Sequence, residues 1–430
     1  MKGLLNPKSI AIIGVSREPT KIGHALASNV KRTFKGKLYF INPFANKILG
    51  IKCHKSIVDV PGKVDLGIIV IPASKVPAAV KDCVDKGIKN LIIISAGFGE
   101  AGNNKDEEEI LKIIKGKARA LGPNCFGIVN THDNIDTTFA LVSPLKGNVA
   151  FVSQGGGVLA TVAFYSIMYN FGFSYFVSLG NMLDLDFVDF IEFFDKDPRT
   201  TAIVMYMERL NDGRRFMEVA KKCKKPIFVI KAGRTDAGKR ATLSHTGSMA
   251  GSFEVYEAAF KQCGVTLVET ISEAFDKAKY HQEVKGNRIV IISNAGAQAT
   301  LSADYSTKAG FEVVKLPEDM KLEKLPSEWS HNNPMDIVGD ADAERYGYVF
   351  EELCKRNDFF DCALVIVGQQ KTIDIQETAR KIVKFKKKLK KPIVVCWMTN
   401  ADNSLLEKER IPSFFDPSRA IKTLVPNSKK

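Results

Sequence analysis

Residues 12–30 read IIGVSREPTKIGHALASNV, in which an apolar run meets a glycine and is followed by a helical pattern. Gly14 ends the first predicted strand, and Lys21 and Gly23 enter the helix that follows. A strand, a glycine-containing turn and a helix in this order form the first unit of a doubly wound α/β domain. The stretch therefore predicts the fold class of the first domain.

Short apolar runs and helical patterns continue to alternate as far as residue 122. Runs such as 68–71 and 91–94 do not alternate with polar residues, as expected for parallel strands that are covered on both faces. The predicted strands are 9–15, 37–41, 66–71, 91–95 and 118–121. We therefore expect a Rossmann-type domain at residues 1–130.

Two further series of the same kind follow. The second has predicted strands at 148–153, 174–179, 202–207, 226–231 and 265–268. The third begins after a polar break at 284–287 and has predicted strands at 288–293, 311–315, 363–367 and 392–397. These series predict domains at 145–284 and 286–430, so the expected fold class is α/β with three consecutive parallel-sheet domains.

The composition excludes several classes of protein. Among 430 residues, 45% are hydrophobic and 26% are charged, which is ordinary for a globular chain and argues against disordered and fibrous proteins. The eight cysteines are scattered and form no C-x-x-C pair, so we predict no metal site in this chain. Scattered cysteines also favour a reducing compartment, and we therefore expect a cytoplasmic protein.

The net charge of +14 at pH 7 indicates an anionic partner, which can be a phosphorylated cofactor as well as a polynucleotide. In the densest basic run, 381–391, apolar residues recur at helical spacing. We therefore interpret the basic residues of this run as the solvent-exposed face of an amphipathic helix. We therefore expect no nucleic-acid partner. No run reaches 18 apolar residues, and the N-terminal apolar stretch is too short for a signal peptide, so we expect no membrane partner.

Loops at the carboxyl ends of the first-domain strands form a candidate ligand site, because ligands of open α/β sheets bind at that edge. The backbone amides at the first helix start, with Arg17 and Lys21 beside them, suit a phosphate group. Asn42-Pro43 stands where an NAD site has an acid, which argues against NAD and leaves room for another adenine cofactor. The candidate binding residues are Gly14, Val15, Ser16, Arg17, Lys21, Asn42, Pro43, Pro72 and Ser95.

Two glycine-containing helix starts are candidate anion sites. Each follows a predicted strand, so that unpaired N–H groups and the positive end of a helix dipole face the ligand. The alternative is a turn that only allows close packing of strand and helix. The candidate phosphate-binding residues are Ser153, Gln154, Gly155 and Gly156 at the first start and Asn294, Ala295 and Gly296 at the second.

The stretch 231–251, KAGRTDAGKRATLSHTGSMAG, predicts a long glycine-hinged loop that carries His245. Three basic side chains on the same stretch could handle a phosphate group: Arg234, Lys239 and Arg240. A histidine nucleophile needs one unprotonated nitrogen and a carboxylate that holds the other. Glu208, at the end of the strand 202–207, faces the same edge and is a plausible orienting group, so we predict His245 and Glu208 as catalytic residues.

These motifs, in this order, resemble the α subunit of ADP-forming acetyl-CoA synthetase (acetate–CoA ligase, ADP-forming), in the superfamily of succinyl-CoA synthetase. The resemblance runs from about residue 5 to 420 and rests on the ordered set, since no single motif is specific. The motifs are Gly14-Val15-Ser16 with Lys21-Ile22-Gly23, Gly122 to Gly127, Ser153-Gln154 with its glycines, Glu208, Ser244 to Gly247 and Asn333 to Asp336.

The resemblance implies coenzyme A as the ligand of the first domain, with Asn124 and Cys125 near its thiol end, and two flavodoxin-like ligase domains after it. It implies that His245 is transiently phosphorylated, that Glu208 orients it, and that the two helix starts hold the phosphohistidine. Phosphate would attack the acyl-CoA thioester, His245 would take the phosphoryl group from the acyl phosphate, and ADP would then receive it. This chain departs from the family pattern at Gly155 and at Ala297-Gln298.

The family also uses ATP-grasp domains to hold ADP and Mg²⁺, and no segment of this sequence resembles them. We therefore expect a separate ATP-grasp β subunit, which supplies Mg²⁺ and ADP/ATP, in an α2β2 assembly. One alternative is a non-catalytic CoA-binding sensor or scaffold, for which His245 and Glu208 would be dispensable. Two enzyme alternatives fit the sequence less well. A succinyl-CoA synthetase α subunit normally ends after two domains, so the third predicted domain argues against it. A dehydrogenase would need a hydride-transfer site, and this sequence shows no such set of residues.

Overall fold

The computed structural model describes residues 1–246, 252–280, 282–371 and 373–426. The chain forms two compact units, Met1–Ala274 and Phe275–Lys430. Each unit is mixed α/β, with sheets in which most neighbouring strands are parallel. The first unit contains two seven-stranded sheets, and the second contains a six-stranded sheet and a two-stranded sheet.

The first sheet has the order β3-β4-β2-β1-β5-β6-β7, and only the β3–β4 pair is antiparallel. Its strands are β1 Ser9–Ile13, β2 Lys37–Ile41, β3 Lys47–Ile48, β4 Ile51–His54, β5 Leu66–Ile69, β6 Asn90–Ile93 and β7 Arg119–Leu121. Its helices are α1 Lys2–Leu5, α2 Ile22–Thr33, α3 Val76–Asp85 and α4 Asn104–Ile114. Because β1 lies between β2 and β5, the strand order reverses at its carboxyl end, where open α/β sheets bind ligands.

The strand β1 is covered on both of its faces. All five residues of β1 are buried. Ile10 and Ile12 belong to the apolar cluster on one face of the sheet, and Ala11 and Ile13 belong to the cluster on the other face. The unbroken apolar run in the sequence is therefore the signature of a strand covered by helices on both sides, as predicted.

The second sheet has the order β14-β13-β12-β10-β11-β8-β9, in which β8 and β9 are antiparallel to their neighbours. Its strands are β8 Ile128–Asn130, β9 Ile135–Asp136, β10 Lys146–Ser153, β11 Phe173–Ser178, β12 Ala202–Met207, β13 Ile227–Lys231 and β14 Thr266–Val268. The helices of this region are α5 Gly156–Met168, α6 Phe187–Lys196, α7 Gly213–Lys222, α8 Asp236–Thr246, α9 Phe253–Gln262 and α10 Ile271–Tyr280. β10 lies between β11 and β12, so the order reverses again at its end.

The prediction of one long loop at 231–251 is wrong in its central part, because α8 occupies Asp236–Thr246. Thr235 Oγ1 accepts a hydrogen bond of 3.1 Å from the N–H of Gly238 and so caps the start of this helix. Alanine, leucine, lysine and arginine within the stretch are strong helix formers. The glycines that suggested a loop are therefore outweighed by a cap and by helix-forming neighbours.

The second unit is built on the order β17-β16-β19-β20-β21, with β18 also paired to β16 and with β15 and β22 paired to each other. Its strands are β15 Gln282–Val284, β16 Arg288–Ser293, β17 Glu312–Val313, β18 Met335–Asp336, β19 Cys362–Gly368, β20 Ile393–Met398, β21 Ser413–Phe414 and β22 Leu424–Pro426. Its helices are α11 Gly296–Lys308, α12 Ala343–Lys355, α13 Ile375–Leu389, α14 Ser404–Lys408 and α15 Pro417–Lys422.

The basic run near the C-terminal end lies on α13, as predicted. Its apolar residues are buried in the core of the second unit, where the ring of Phe385 stacks on Phe350 with ring centroids 4.3 Å apart. Lys384, Lys387 and Lys388 are exposed on the other side of the helix. The run is thus one face of an amphipathic helix.

Candidate functional site

A cavity of about 670 Å³ opens at the carboxyl end of β1, where the strand order of the first sheet reverses. Its volume falls within the range of small-molecule and cofactor sites. Most of the residues predicted for ligand binding are brought together here. The predicted residues that line the cavity are Gly14, Val15, Ser16, Lys21, Asn42, Pro43, Pro72 and Ser95.

Two glycines allow the start of α2 to approach the end of β1. Gly14 has a φ of +101°, and a Cβ atom there would lie 2.3 Å from the carbonyl oxygen of Val70. A Cβ atom on Gly23 would lie 2.2 Å from the carbonyl oxygen of Gly14. The first turn of α2 has no side-chain cap, so its N–H groups and Lys21 lie together at one end of the cavity, an arrangement of the kind that can bind an anion.

Asn42 and Ser95 shape the cavity walls by holding neighbouring loops. Asn42 Nδ2 donates to the carbonyl oxygen of Val15 at 2.7 Å, and Asn42 Oδ1 accepts from the N–H of Phe44 at 2.7 Å. Ser95 Oγ donates to the carbonyl oxygen of Ile71 at 2.6 Å and accepts from the N–H of that residue at 3.1 Å. Their polar groups are therefore used for loop geometry, which sequence reasoning did not distinguish from ligand binding.

Sequence reasoning missed several residues that line the same cavity. Lys55 follows β4, and Lys75 lies in the short 3₁₀ turn Ala73–Lys75 after β5, so two more cations join Lys21. Phe44, which is 86% exposed, adds an aromatic ring to the lining. A signal for these lysines was available in the sequence: each is a basic residue that follows a strand at the same edge of the sheet. Lys21, in the turn between β1 and α2, shows the same pattern.

Three predicted residues do not line the cavity: Arg17, Asn124 and Cys125. Arg17 is exposed on the turn before α2. The backbone N–H of Asn124 donates to the carbonyl oxygen of Ser95 at 2.8 Å, so the loop of Asn124 is tied to the cavity wall. Cys125 is buried in the core, where its Sγ donates to the carbonyl oxygen of Ile93 at 3.3 Å. Cys125 is therefore part of the packed core.

We expect the Cys125 thiol to resist alkylation by iodoacetamide at pH 8, because burial raises its pKa to about 12. The thiolate, which is the reactive form, then amounts to only about 10⁻⁴ of the population. Peptide mass mapping after a timed reaction would measure this, with half-buried Cys354 as the reference in the same sample. Alkylation of Cys125 in the native protein as fast as that of Cys354 would contradict the assignment, and urea should remove the difference.

The second group of candidate residues surrounds Glu208, which follows β12 and is 4% exposed. Gln154 Oε1 accepts hydrogen bonds of 3.0 Å each from the N–H groups of Glu208 and Arg209. The helix α5 begins at Gly156 without a side-chain cap. A Cβ atom on Gly155 would lie 3.5 Å from Glu208 Oε1, so the carboxylate lies beside the positive end of α5.

Ser153 and Tyr206 complete this arrangement. Ser153 Oγ donates to the carbonyl oxygen of Gly155 at 2.6 Å and fixes the turn that leads into α5. The hydroxyl of Tyr206 is hydrogen-bonded to the Glu208 side chain, and burial, followed by the negative charge of Glu208, raises the pKa of Tyr206 to about 12. Ser153, Gln154 and Gly155 therefore form the local support of α5 and of Glu208.

The backbone of His245 belongs to α8, whereas its side chain lies outside the described residues. The helix α8 contacts the 3₁₀ turn Gly99–Ala101, which follows β6 at the ligand edge of the first sheet. Arg234 stacks over the ring of Phe253 at 5.0 Å and donates to the carbonyl oxygen of Val268 at 2.7 Å. Its guanidinium is therefore partly used in packing, which the loop prediction did not foresee.

The second predicted anion site lies in the second unit, at the start of α11. Asn294 clamps β16 to β19, because its Nδ2 donates to the carbonyl oxygen of Gly368 at 2.8 Å and its Oδ1 accepts from the N–H of Gly368 at 2.7 Å. Ala295 is the first residue before the helix. A Cβ atom on Gly296 would lie 2.5 Å from Asp336 Oδ2, so a carboxylate already lies against this helix start.

The described part of the chain contains neither a membrane-spanning helix nor a metal-ligand cluster. None of the described helices is long and apolar enough to cross a membrane. Among the same residues, no group of three or more His, Cys, Asp and Glu side chains is arranged to hold a metal ion.

Comparisons with known proteins agree with this geometry. The family model described as CoA binding domain matches residues 8–131, and the model described as succinyl-CoA ligase like flavodoxin domain matches residues 146–281. A solved structure of dinucleotide forming acetyl-coenzyme A synthetase 1 of Ca. Korarchaeum cryptofilum, in complex with phosphate and ADP, is 38% identical. It matches with a TM-score of 0.88 and covers 98% of this chain and 95% of that chain.

Acetate–CoA ligase [ADP-forming] II subunit alpha of Pyrococcus furiosus is 40% identical over 96% of this chain and 94% of that protein. Acetate–CoA ligase [ADP-forming] of Methanocaldococcus jannaschii is 43% identical over 80% of this chain, but the match spans only 50% of that longer relative. The resemblance found in the sequence is therefore confirmed. The chain belongs to the family of ADP-forming acetate–CoA ligases, which are acid–thiol ligases, and it corresponds to their α subunits.

Proposed function

We propose that this chain is the α subunit of an ADP-forming acyl-CoA synthetase that works through an acyl phosphate and phosphorylated His245. The net reaction interconverts acyl-CoA, phosphate and ADP with the free acid, CoA and ATP. The observation that carries the proposal is the buried Glu208 carboxylate beside the uncapped start of α5. A negative group that can hold an imidazole and amides that can hold a phosphoryl group then lie together within one compact unit.

The cavity at the end of β1 supports coenzyme A as the ligand of the first sheet. Lys21, Lys55 and Lys75 bring three positive charges to a cavity that also meets the amino end of α2. Phosphate groups are favoured by such an arrangement of cations and backbone N–H groups. The remaining lining is largely apolar and includes Ile13, Ile41 and Ile71, which suits the non-ionic parts of the cofactor.

The proposed chemistry begins when a phosphate oxygen attacks the thioester carbonyl, which breaks the C–S bond and releases CoA. A nitrogen of His245 then attacks the phosphorus of the acyl phosphate, the P–O bond breaks, and the acid leaves as its carboxylate. Glu208 would accept the N–H of the imidazole and stabilise the positive charge that the ring acquires. The amides at the start of α5 would hold the phosphoryl oxygens, and those at the start of α11 are proposed as the second holder.

We further propose that the chain divides into three domains, at 1–130, 145–284 and 286–430, each centred on one of the three large sheets. ADP and Mg²⁺ would be supplied by a separate ATP-grasp β subunit in an α2β2 assembly. Two observations support a partner: relatives of this length are named subunit alpha, and a longer relative has about half its length outside the match. The eight free cysteines support a cytoplasmic location.

His245→Ala is expected to abolish phosphorylation of the chain. The test is the intact mass at mildly alkaline pH after incubation with acetyl-CoA, phosphate and Mg²⁺, with other acyl-CoAs as alternative substrates and a matched ATP-grasp subunit added in parallel. The wild type should gain one acid-labile phosphoryl group, and so should the control His331→Ala, which replaces an exposed histidine. No adduct in the wild type, or an adduct that survives in His245→Ala, would refute the mechanism and favour a CoA-binding scaffold.

A further inference from the structure

Lys231, the first residue of the stretch 231–251, was given no role in the sequence analysis, and it lies against the backbone of the proposed catalytic glutamate. Lys231, the last residue of β13, is only 2% exposed. Its Nζ donates to the carbonyl oxygen of Glu208 at 2.8 Å and to that of Ala232 at 2.5 Å, and it lies 4.5 Å from the ring centroid of Tyr256. The ring face takes the third side of the ammonium, so all three N–H directions have a neighbour.

The backbone of Glu208 is thereby held from both sides. The strand β12, which ends just before Glu208, lies between β10 and β13 in the sheet. From the β10 side, Gln154 Oε1 accepts the N–H of Glu208 at 3.0 Å. From the β13 side, Lys231 donates to its carbonyl oxygen at 2.8 Å. Two side chains from the neighbouring strands therefore fix the residue that follows the strand end, which is where a precise orientation is needed.

Two titratable groups of the described residues act on Lys231. Glu208 acts through its negative charge, and the ring of Tyr256 on α9 lies against the ammonium. Two titratable groups lie near Glu208. Tyr206 is hydrogen-bonded to its side chain, and Arg209 interacts electrostatically with its negative charge. Burial lowers the pKa of Lys231 to about 8, so the side chain is protonated in about nine of ten molecules at pH 7.

A buried ammonium is costly unless an opposite charge and good acceptors compensate it. Here the acceptors are the two carbonyl oxygens, and the opposite charge is Glu208. We propose that Lys231 is a positioning residue for the phosphoryl-transfer reaction: it fixes the backbone at the end of β12 and so holds Glu208 where its side chain can accept the N–H of His245. This inference rests on the proposed function of Glu208 and His245 and adds a residue to it.

The test is the rate constant of His245 phosphorylation at saturating acyl-CoA and phosphate in Lys231→Met, Lys231→Gln and Lys231→Arg. The Met variant loses the donor to the Glu208 carbonyl oxygen, so its rate constant should fall about tenfold, the equivalent of one charge-assisted hydrogen bond. The Gln variant keeps a donor on a shorter, uncharged side chain, so its rate constant should fall less. The Arg variant keeps both the donor and the charge, so its rate constant should stay near that of the wild type.

Coenzyme A binding at the cavity of the first sheet serves as the control for folding, because Lys231 does not line that cavity. If Lys231→Met fails this control, the comparison rests on Lys231→Gln, whose amide can still donate to a carbonyl oxygen. Equal rate constants in the wild type and in every folded neutral variant would overturn the role of Lys231 while leaving the phosphohistidine mechanism intact. A wild type that is never phosphorylated would refute the proposed function itself, and with it this inference.

Discussion

Glu208→Gln is expected to slow phosphorylation of His245 by roughly 10²- to 10⁴-fold, the range that positioned acid–base groups contribute. Glutamine keeps the volume and an acceptor for the Tyr206 hydroxyl, but it lacks the charge that stabilises an imidazole as it becomes positive. The backbone should stay in place, because Gln154 and Lys231 hold the N–H and the carbonyl of residue 208. A rapid-quench measurement with acyl-CoA and phosphate gives the rate, and a titration gives the affinity for CoA.

Glu192→Gln is the matched control for this variant. Glu192 lies exposed on α6, so the same substitution removes the same charge from the surface. We expect this control to keep the wild-type rate, and we expect both variants to bind CoA with unchanged affinity. If Glu208→Gln were phosphorylated as fast as Glu192→Gln, Glu208 would have no part in holding the histidine.

Gly14→Ala should destabilise the first unit by about 3 kcal/mol and remove measurable CoA binding, because two separate penalties add at this position. The φ of +101° is strained for a residue with a side chain, and the new Cβ atom would lie 2.3 Å from Val70 O and 2.6 Å from Ile71 Cγ2. The turn must then open, and the lining of the cavity moves with it. Urea unfolding and CoA titration measure the two effects.

Two other glycines separate these penalties. Gly62 has a φ of +76° with no atom within 4 Å of an added Cβ, so Gly62→Ala should cost only about 1 kcal/mol. A Cβ atom on Gly23 would lie 2.2 Å from the carbonyl oxygen of Gly14, and Gly23 has no positive φ, so Gly23→Ala measures the cost of the steric clash alone. Equal stability of Gly14→Ala and Gly62→Ala would contradict the argument.

The readout for these variants follows from the positions of the tryptophans. Trp329 and Trp397 both belong to the second unit, Phe275–Lys430. Their fluorescence therefore follows the second unit, while far-UV circular dichroism follows both units. A substitution at Gly14 should shift the transition seen by circular dichroism to lower urea concentrations.

Much of the fold could be predicted because buried parallel strands leave a strong local pattern. The predicted bounds 202–207 and 288–293 match β12 and β16, which are buried along nearly their whole length. The predicted strand at 311–315 shrinks to β17, two residues at a sheet edge. The short strands β3 and β8 were missed, because two or three residues are too few to form a period.

The candidate site was predicted in part for the same reason. Glycine turns at strand ends are visible in the sequence, so Gly14 and the loops that line the first cavity were found. The roles of polar side chains were less visible: Asn42 and Ser95 bond to neighbouring loops, and Cys125 is buried. Lys55 was missed because it follows β4, a short strand that was not predicted, and Lys75 was missed because it lies in a 3₁₀ turn several residues beyond the end of β5.

By itself, the sequence determined the α/β class, the succession of strand, turn and helix units and, through the order of its motifs, the family to which the chain belongs. Only the tertiary structure decided that Gln154, Glu208 and Lys231 form one arrangement, because they follow or end β10, β12 and β13. Local periodicity encodes which residues are buried, but it carries no information on which strands become neighbours. The hydrogen bonds of Glu208 join it to Gln154, which is 54 positions away in the sequence, and to Lys231, which is 23 positions away. Both bonds depend on which strands are neighbours in the sheet, and only the tertiary structure shows this.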